Sequence, residues 1–402
     1  MRYWLWDFYA VDDFIDVHFR PDLDRLEADQ ILAKRFYSGH FGYQSRSRMP
    51  AGVKTLTVLR DPTEHLASLV AYVRENAPDL LKKDFSRSAF AAVARHFRLS
   101  FLKGPLDEQA NFQTRMLSNL DDDAAMAASA GEMLQSVRQS LDAMTAFGLT
   151  ERMRETMLLF SFCLAWPPLA PGDPLNASGR VGSAGSEASQ AEISELSKFN
   201  LLDGAIVSHA RERFDRRLRE MVSELGLPAS CDPGDPQYAS AIEAALRLRF
   251  LRSTPPEGLV SSAVWRMEDA LFFEGLEKRF YWAPVERWIR WARPAGEVVF
   301  YLPLARGCAR MTVHVELLLA ANEEIRESLR LSVNGQALET GACPMQDGGG
   351  TAFIILSAEI PPEALAPDQN WHALRIESAA PEGVKPFALS RVAVSSRDDS
   401  SS

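Results

Sequence analysis

The strongest constraint on the fold is a change of texture at Ser253-Thr254-Pro255-Pro256. Before it, apolar residues repeat at helical spacing. Met133, Leu134, Val137, Leu141 and Met144 recur every three or four residues, and Gly148 follows as a stop. Met153, Met157, Phe160, Ser161 and Leu164 continue that spacing until Pro167-Pro168. Leu202, Ala205, Ile206, Phe214, Leu218, Met221 and Leu225 mark another long helix. Beyond the prolines, six short runs are rich in β-branched and aromatic residues: Glu297–Pro303, Met311–Leu319, Ser328–Val333, Thr351–Ala358, Trp371–Glu377 and Leu389–Val394. Asn334-Gly335, Gly348-Gly349-Gly350 and Pro361-Pro362 punctuate them, which predicts an antiparallel β-sandwich. The expected division is 1–255, a helical α/β domain, then 256–394, the sandwich, then a disordered polar tail, 395–402. Residues 171–190, rich in Gly, Ser, Ala and Pro, read as a loop.

A chain of 402 residues with 46% hydrophobic residues has material for two cores. Its net charge of −10 speaks against a general nucleic-acid partner. Cys163, Cys231, Cys308 and Cys343 are too scattered for a zinc site or a disulfide framework, so no metal is expected and a reducing compartment fits. The first residues, MRYWLWDFYAVDDFIDV, lack the apolar stretch of a signal peptide, and no segment has the length of a membrane span. The reading is cytoplasmic, with no membrane partner.

The stretch VKTLTVLRDPTEHLASLVAY, residues 53–72, carries the chemistry. Val53, Leu56, Val58 and Leu59 suggest a buried strand that ends at Arg60. Asp61 then suits an N-cap, Pro62 the first helical turn, and Glu64 the capping-box position. Leu66, Leu69, Val70 and Val73 give this helix an apolar face. Ligands in α/β sheets bind at the carboxyl ends of strands, and a helix N-terminus favours anions. An arginine there offers a forked donor to phosphate. The alternative is an arginine paired with a carboxylate for structural reasons.

LRDPTEHLASLVAY resembles the 3′-phosphate-binding motif of carbohydrate O-sulfotransferases, roughly L-R-D-P-x-x-R-x-x-S. Arg60 and Ser68 match the residues that hold the 3′-phosphate of the donor, 3′-phosphoadenosine-5′-phosphosulfate. His65 replaces the second arginine. Further stretches are similar to the family's in the same order: Phe36–Gly42, Asn111–Leu117, Phe147–Met153, Asn176–Arg180 and Leu202-Asp203 with Ala210 and Phe214. The resemblance covers roughly residues 36–220. It implies a P-loop-like parallel sheet with helices, followed here by the antiparallel β-sandwich. It also implies sulfuryl transfer from that nucleotide to a hydroxyl, of a carbohydrate acceptor, without a metal. No stretch matches the family's P-K-T-G/A-G-T-S loop, which wraps the 5′-phosphosulfate. The expectation is that the natural protein begins upstream; the alternative is loss of the loop.

On this resemblance His40 is the candidate base, since imidazole titrates near neutrality. Its alternative is a packed histidine. Arg115 is placed toward the sulfuryl group or acceptor, or else in a surface ion pair. Arg180 is placed toward the adenosine end. Trp282, Trp288, Trp291 and Trp371 could stack on sugar rings or pack the sandwich and the domain boundary. The second functional reading is a non-catalytic protein that keeps this fold and binds nucleotide or glycan.

Overall fold

The computed structural model describes residues 5–15, 17, 20–65, 68, 111–169, 200–294, 297–307, 310–320, 323–346, 352–381 and 383–397. Contacts divide the chain into two units, residues 15–246 and residues 1–14 with 247–402. The division falls inside the helix Pro236–Arg252, ahead of the Pro255-Pro256 boundary read from the sequence.

In residues 15–246, strands β1 (Leu56–Leu59) and β2 (Ala146–Leu149) pair in parallel, Leu56 opposite Ala146 and Leu59 opposite Leu149. Among the described strands the parallel pairing is this one; a single parallel bridge, Val260 to Leu304, lies in the other unit. Around it lie α1 (Phe112–Leu117), α2 (Ala130–Ala143), α3 (Met153–Leu164), α4 (Leu201–Glu224) and the first turns of α5 (Pro236–Arg252). The start of α2 is a capping box. Ser129 Oγ accepts from the Glu132 N–H (3.3 Å), and Glu132 Oε2 accepts from the Ser129 N–H (2.8 Å). Val137 and Leu141 of its buried stripe meet Leu59, Phe147, Leu149, Leu158, Ile206, Phe214 and Leu218 in one core. The helix expected to continue to Pro167 ends at Leu164, where Ala165 turns left-handed (φ 55°).

The second unit holds two antiparallel sheets. One has five strands in the order β10 (Gln336–Leu338), β9 (Arg330–Val333), β13 (His372–Glu377), β7 (Glu297–Leu302) and β4 (Phe272–Glu274). The other runs β11 (Thr340–Gln346), β12 (Ala352–Ile360), β8 (Arg310–Ala320), β14 (Phe387–Arg397), β6 (Arg287–Trp291) and β5 (Phe280–Trp282), with β3 (Ala263–Arg266) also on β14. Alternation sets the faces. Met311, Val313, Val315 and Leu317 of β8 point inward, to meet Val298, Phe300, Leu374 and Ile376 of the five-stranded sheet. β7 is buried on both faces, because Val299 and Tyr301 pack under Phe250 of α5.

Two features differ from the sequence reading. The first residues join the sandwich unit: Phe8 packs on Phe272 and Phe273 (5.3 and 6.0 Å between ring centres), and the Val11 N–H donates to the Glu268 carbonyl (2.9 Å). Residues 395–397, read as tail, extend β14 by pairing with β8, Ser395 opposite Thr312 and Arg397 opposite Arg310. Of the two roles weighed for Trp371, stacking on sugar and packing, it has packing: it is 6% exposed and stacked on Phe250 at 5.0 Å. No helix among the described residues is long and apolar enough to cross a membrane. The loop 171–190 and Leu66, Leu69, Val70 and Val73 lie outside the described residues.

Candidate functional site

Arg60 follows the buried last residue of β1, Leu59. Its backbone is gripped by the Gln113 amide: the Arg60 N–H donates to Gln113 Oε1 (2.9 Å), and Gln113 Nε2 donates to the Arg60 carbonyl (2.8 Å). The side chain thus reproduces the pairing that a neighbouring strand would give. Gln113 is held in turn by Asp203 at the start of α4. The Asp203 carboxylate accepts from the N–H groups of Gln113 (3.2 Å) and Thr114 (2.8 Å) and from the Thr114 hydroxyl (2.7 Å). Asn111, left-handed at φ 59°, returns the contact. Its Oδ1 accepts from the N–H groups of Leu202 (2.8 Å) and Asp203 (3.2 Å), and its own N–H donates to Asn200 Oδ1 (2.9 Å). The starts of α1 and α4 therefore cap one another. Burial pushes the Asp203 carboxyl up, against the pull of its Thr114 and Gln113 donors and of Arg115.

The Arg60 guanidinium is 34% exposed, and its Nε lies 3.7 Å from the exposed Glu64 carboxylate. That contact is too long for a hydrogen bond and leaves donors for a ligand. Asp61 caps the following helix, accepting from the N–H groups of Thr63 (3.0 Å) and Glu64 (3.4 Å). Its other oxygen meets Arg211 of α4 (3.3 Å), which also bonds Glu151 just after β2 (2.9 Å). Arg211 so ties together the carboxyl ends of both parallel strands. His65 is half-buried beside Phe112, 5.6 Å between ring centres. Burial, then the Arg60 charge, lowers its pKa to about 4, so it is neutral at physiological pH. Ser68 is helical and half-exposed.

Of the other residues singled out in the sequence, Arg115 lies on α1, close enough to act on the Asp203 charge. His40 is exposed, beside Phe41, which is buried with Ile15, Leu23 and Ile31. Arg180 lies outside the described residues. Sequence reasoning missed the cross-capping of Asn111 and Asp203, and the Gln113 grip on Arg60. It also missed a cleft of about 430 Å³ just beyond the His40 segment, lined by Tyr43, Gln44, Arg46, Met49 and Asn119, among others. Tyr43 Oη and Gln44 Oε1 are buried with no hydrogen-bond partner. The turn that carries them, Tyr43–Arg48, packs against α1. Among the described residues no group of His, Cys, Asp and Glu has the arrangement of a metal site.

No protein-family model matches the chain. A comparison with curated proteins gives no match. Among solved structures the chain is similar to a family 35 carbohydrate binding module from Clostridium thermocellum, at 12% identity and a TM-score of 0.25, over 34% of this chain and 100% of that one. It is also similar to a family GH115 4-O-methyl-alpha-glucuronidase with specificity for decorated arabinogalactans, at 12% identity and a TM-score of 0.22, over 79% of this chain and 45% of that one. At such scores neither likeness carries an argument.

In chemical terms, the end of β1 offers one arginine with open donors, a helix start beside it and a neutral imidazole. That set can hold an anion of phosphate size.

Proposed function

We propose that residues 15–246 form a sulfotransferase-type domain, with a P-loop-like sheet, that binds 3′-phosphoadenosine-5′-phosphosulfate and directs its sulfuryl group to a carbohydrate hydroxyl. One observation carries the reading. Stretches that resemble the family in three distant parts of the sequence are joined by direct hydrogen bonds at the end of β1: Arg60 to Gln113, Thr114 to Asp203, and Asn111 to Leu202 and Asp203. In this reading Arg60 and Ser68 hold the 3′-phosphate, and Arg180 serves the adenosine end. His40 takes the proton of the acceptor hydroxyl as its oxygen attacks sulfur and the bond from sulfur to the bridging phosphate oxygen breaks. 3′,5′-Adenosine bisphosphate leaves. Arg115 offsets charge on the transferring group. The polar cleft at Tyr43 and Gln44, with its two unpartnered buried oxygens, suits a hydroxyl-rich acceptor.

A second reading is favoured by one feature of the sequence, which contains no P-K-T-G/A-G-T-S-like loop to cradle the 5′-phosphosulfate. A chain without that cradle binds the nucleotide and does not transfer.

Calorimetry with 3′,5′-adenosine bisphosphate tests the shared step. Arg60→Ala should weaken binding about tenfold or more, the worth of a charge-assisted contact. No binding by the parent protein, or an equal affinity in a folded Arg60→Ala variant, would remove the nucleotide assignment. Transfer of labelled sulfate to an oligosaccharide mixture then separates the two readings. Turnover that falls roughly 10²–10⁴-fold in His40→Ala supports catalysis. Tight nucleotide binding with no turnover supports the binding protein.

A further inference from the structure

We infer that the outer face of the seven-stranded sheet binds an anionic saccharide, one bearing a carboxylate or sulfate ester, through Arg287, Arg391 and the ring of Trp282. The site stands apart from the nucleotide reading, since every residue in it belongs to the sandwich unit.

Strand alternation builds the face. On β8, Met311, Val313, Val315 and Leu317 fill the core, which leaves Glu316 on the opposite side. On β6, Trp288 packs inward, so Arg287, Ile289 and Trp291 face outward. The register of β14 shifts between Leu389 and Arg391. This bulge brings two successive side chains, Ser390 and Arg391, to the outer face, where both reach Glu316. Bulges of this kind re-aim side chains and are frequent beside functional sites.

Glu316 organises the cluster. It is 3% exposed, and its oxygens are taken up by Arg287, by the Ser390 hydroxyl (2.5 Å) and by Arg391 (2.7 Å). The two arginines remain 41% and 44% exposed at their side chains. Each guanidinium carries five N–H donors, so the carboxylate fixes one edge and the other edge is open to a ligand. Exposed Arg266 stands opposite Arg391 in the register with β3, on the same side as the exposed Val264. Two guanidiniums on one carboxylate leave a net positive charge in the contacting group.

An apolar rim adjoins it. Trp282 lies directly across from Arg287, and Phe280 across from Ile289. Trp282, Trp291 and Phe353 are partly buried against Ile289, Leu318 and Ala388, and Phe280 is 39% exposed. The Arg287 guanidinium lies 5.9 Å from the Phe353 ring centre. Charge complementarity selects an anion. The aromatic rim selects one with a flat C–H face, which a sugar ring supplies. The net charge of −10 disfavours long polyanions through the field of the whole molecule, whereas a short saccharide places only a few charges locally.

The test is calorimetry on the full chain with a chondroitin sulfate tetrasaccharide, with cellotetraose as the neutral probe and a short polyglutamate as the charge-only probe. The charged saccharide should bind at least about tenfold more tightly than either, the scale of one charge-assisted contact. Arg287→Ala and Arg391→Ala should each weaken it about tenfold, and Trp282→Ala should weaken it as well. Arg391→Lys should recover part of the loss, since it keeps the charge and lacks the fork. Arg375→Ala, on β13 of the other sheet and paired with Glu297, should bind as the parent does. Losing one arginine strains the buried carboxylate, so the paired variant Glu316→Gln/Arg391→Gln serves as a charge-balanced check and should also lose binding. No binding to the charged saccharide overturns the inference. So does equal binding to cellotetraose or polyglutamate, or parent-like affinity in the folded arginine variants.

Discussion

Gly148 shows how one missing side chain joins β2 to α3. A Cβ built there would overlap the Thr156 side chain. Thr156 cannot retreat, because its hydroxyl accepts from the Leu149 N–H (2.9 Å) and donates to the Leu149 carbonyl (3.1 Å). The whole of β2 is buried, so the strand cannot shift toward solvent either. Gly148→Ala should therefore destabilise residues 15–246 by about 1–3 kcal/mol through overpacking. In thermal melts this should appear as a drop of roughly 2–4 °C per kcal/mol. An unchanged melting temperature would mean that α3 packs less closely on β2 than the structure has it. Gly148 read in the sequence as a helix stop; its role is instead the close approach of a helix to a strand.

At the scale of elements, α1 and α4 depend on one another's side chains for their caps, and Asp203 is the keystone. Thr114 is fully buried, so Asp203→Ala would strand its N–H, its hydroxyl and the Gln113 N–H without an acceptor. Each such loss costs about 1–3 kcal/mol, and a total near 3 kcal/mol or more is expected in denaturation. Asp203→Asn keeps one acceptor oxygen and should lose less. Because Gln113 holds the Arg60 backbone, Asp203→Ala should also weaken binding of 3′,5′-adenosine bisphosphate, although Arg60 itself is intact. Equal stability of the parent and Asp203→Ala would dismiss the keystone role. These caps were not legible in the sequence, since Asn111 and Asp203 lie 92 residues apart. What was legible is local. The runs that became β7, β8, β9, β12, β13 and β14 were visible from their branched and aromatic residues. Asn334-Gly335 is the tight turn its sequence suggested, with φ of 50° and 86°. Strand β11, TGACPMQ, escaped because it carries Gly and Pro, which an edge strand tolerates; among the described residues its one partner strand is β12. Polar residues 395–397 escaped because pairing with β8, not their composition, makes them strand. Arg60 was found by its place at a strand end; Gln113, its clamp, carries no local signal.

At the scale of the whole molecule, each unit holds a histidine in its neutral form, and each contributes to the response to acid. His372, fully buried in the sandwich, has its pKa lowered to about 4, by burial and then by the charge of Arg306. The hydrogen bonding agrees. The Asn334 amide is oriented by donating to the Ala364 carbonyl (2.8 Å) and accepting from the Ala373 N–H (2.9 Å), so its nitrogen also faces His372 Nδ1 (2.9 Å), which must accept. An imidazole that accepts at Nδ1 is the neutral tautomer. His65 is lowered to about 4 in the other unit. In the unfolded chain both titrate near 6.5. Between about 6.5 and 4 the unfolded chain therefore binds protons that the folded protein does not. Stability is complete above this window and falls as pH drops through it, by at most about 1.4 kcal/mol per pH unit for His372. The carboxylates of Glu132 and Asp368, held below their ordinary values by Ser129 and Arg252, lose their contribution at lower pH and do not mimic this effect. Scanning calorimetry at pH 7 and pH 5 should show a lower melting temperature at pH 5. His372→Gln, which keeps an acceptor for Asn334 and cannot take up a proton, should be less stable than the parent at pH 7, with the gap narrowing at pH 5. A gap of the same size at both values would show that His372 contributes packing alone and no proton linkage.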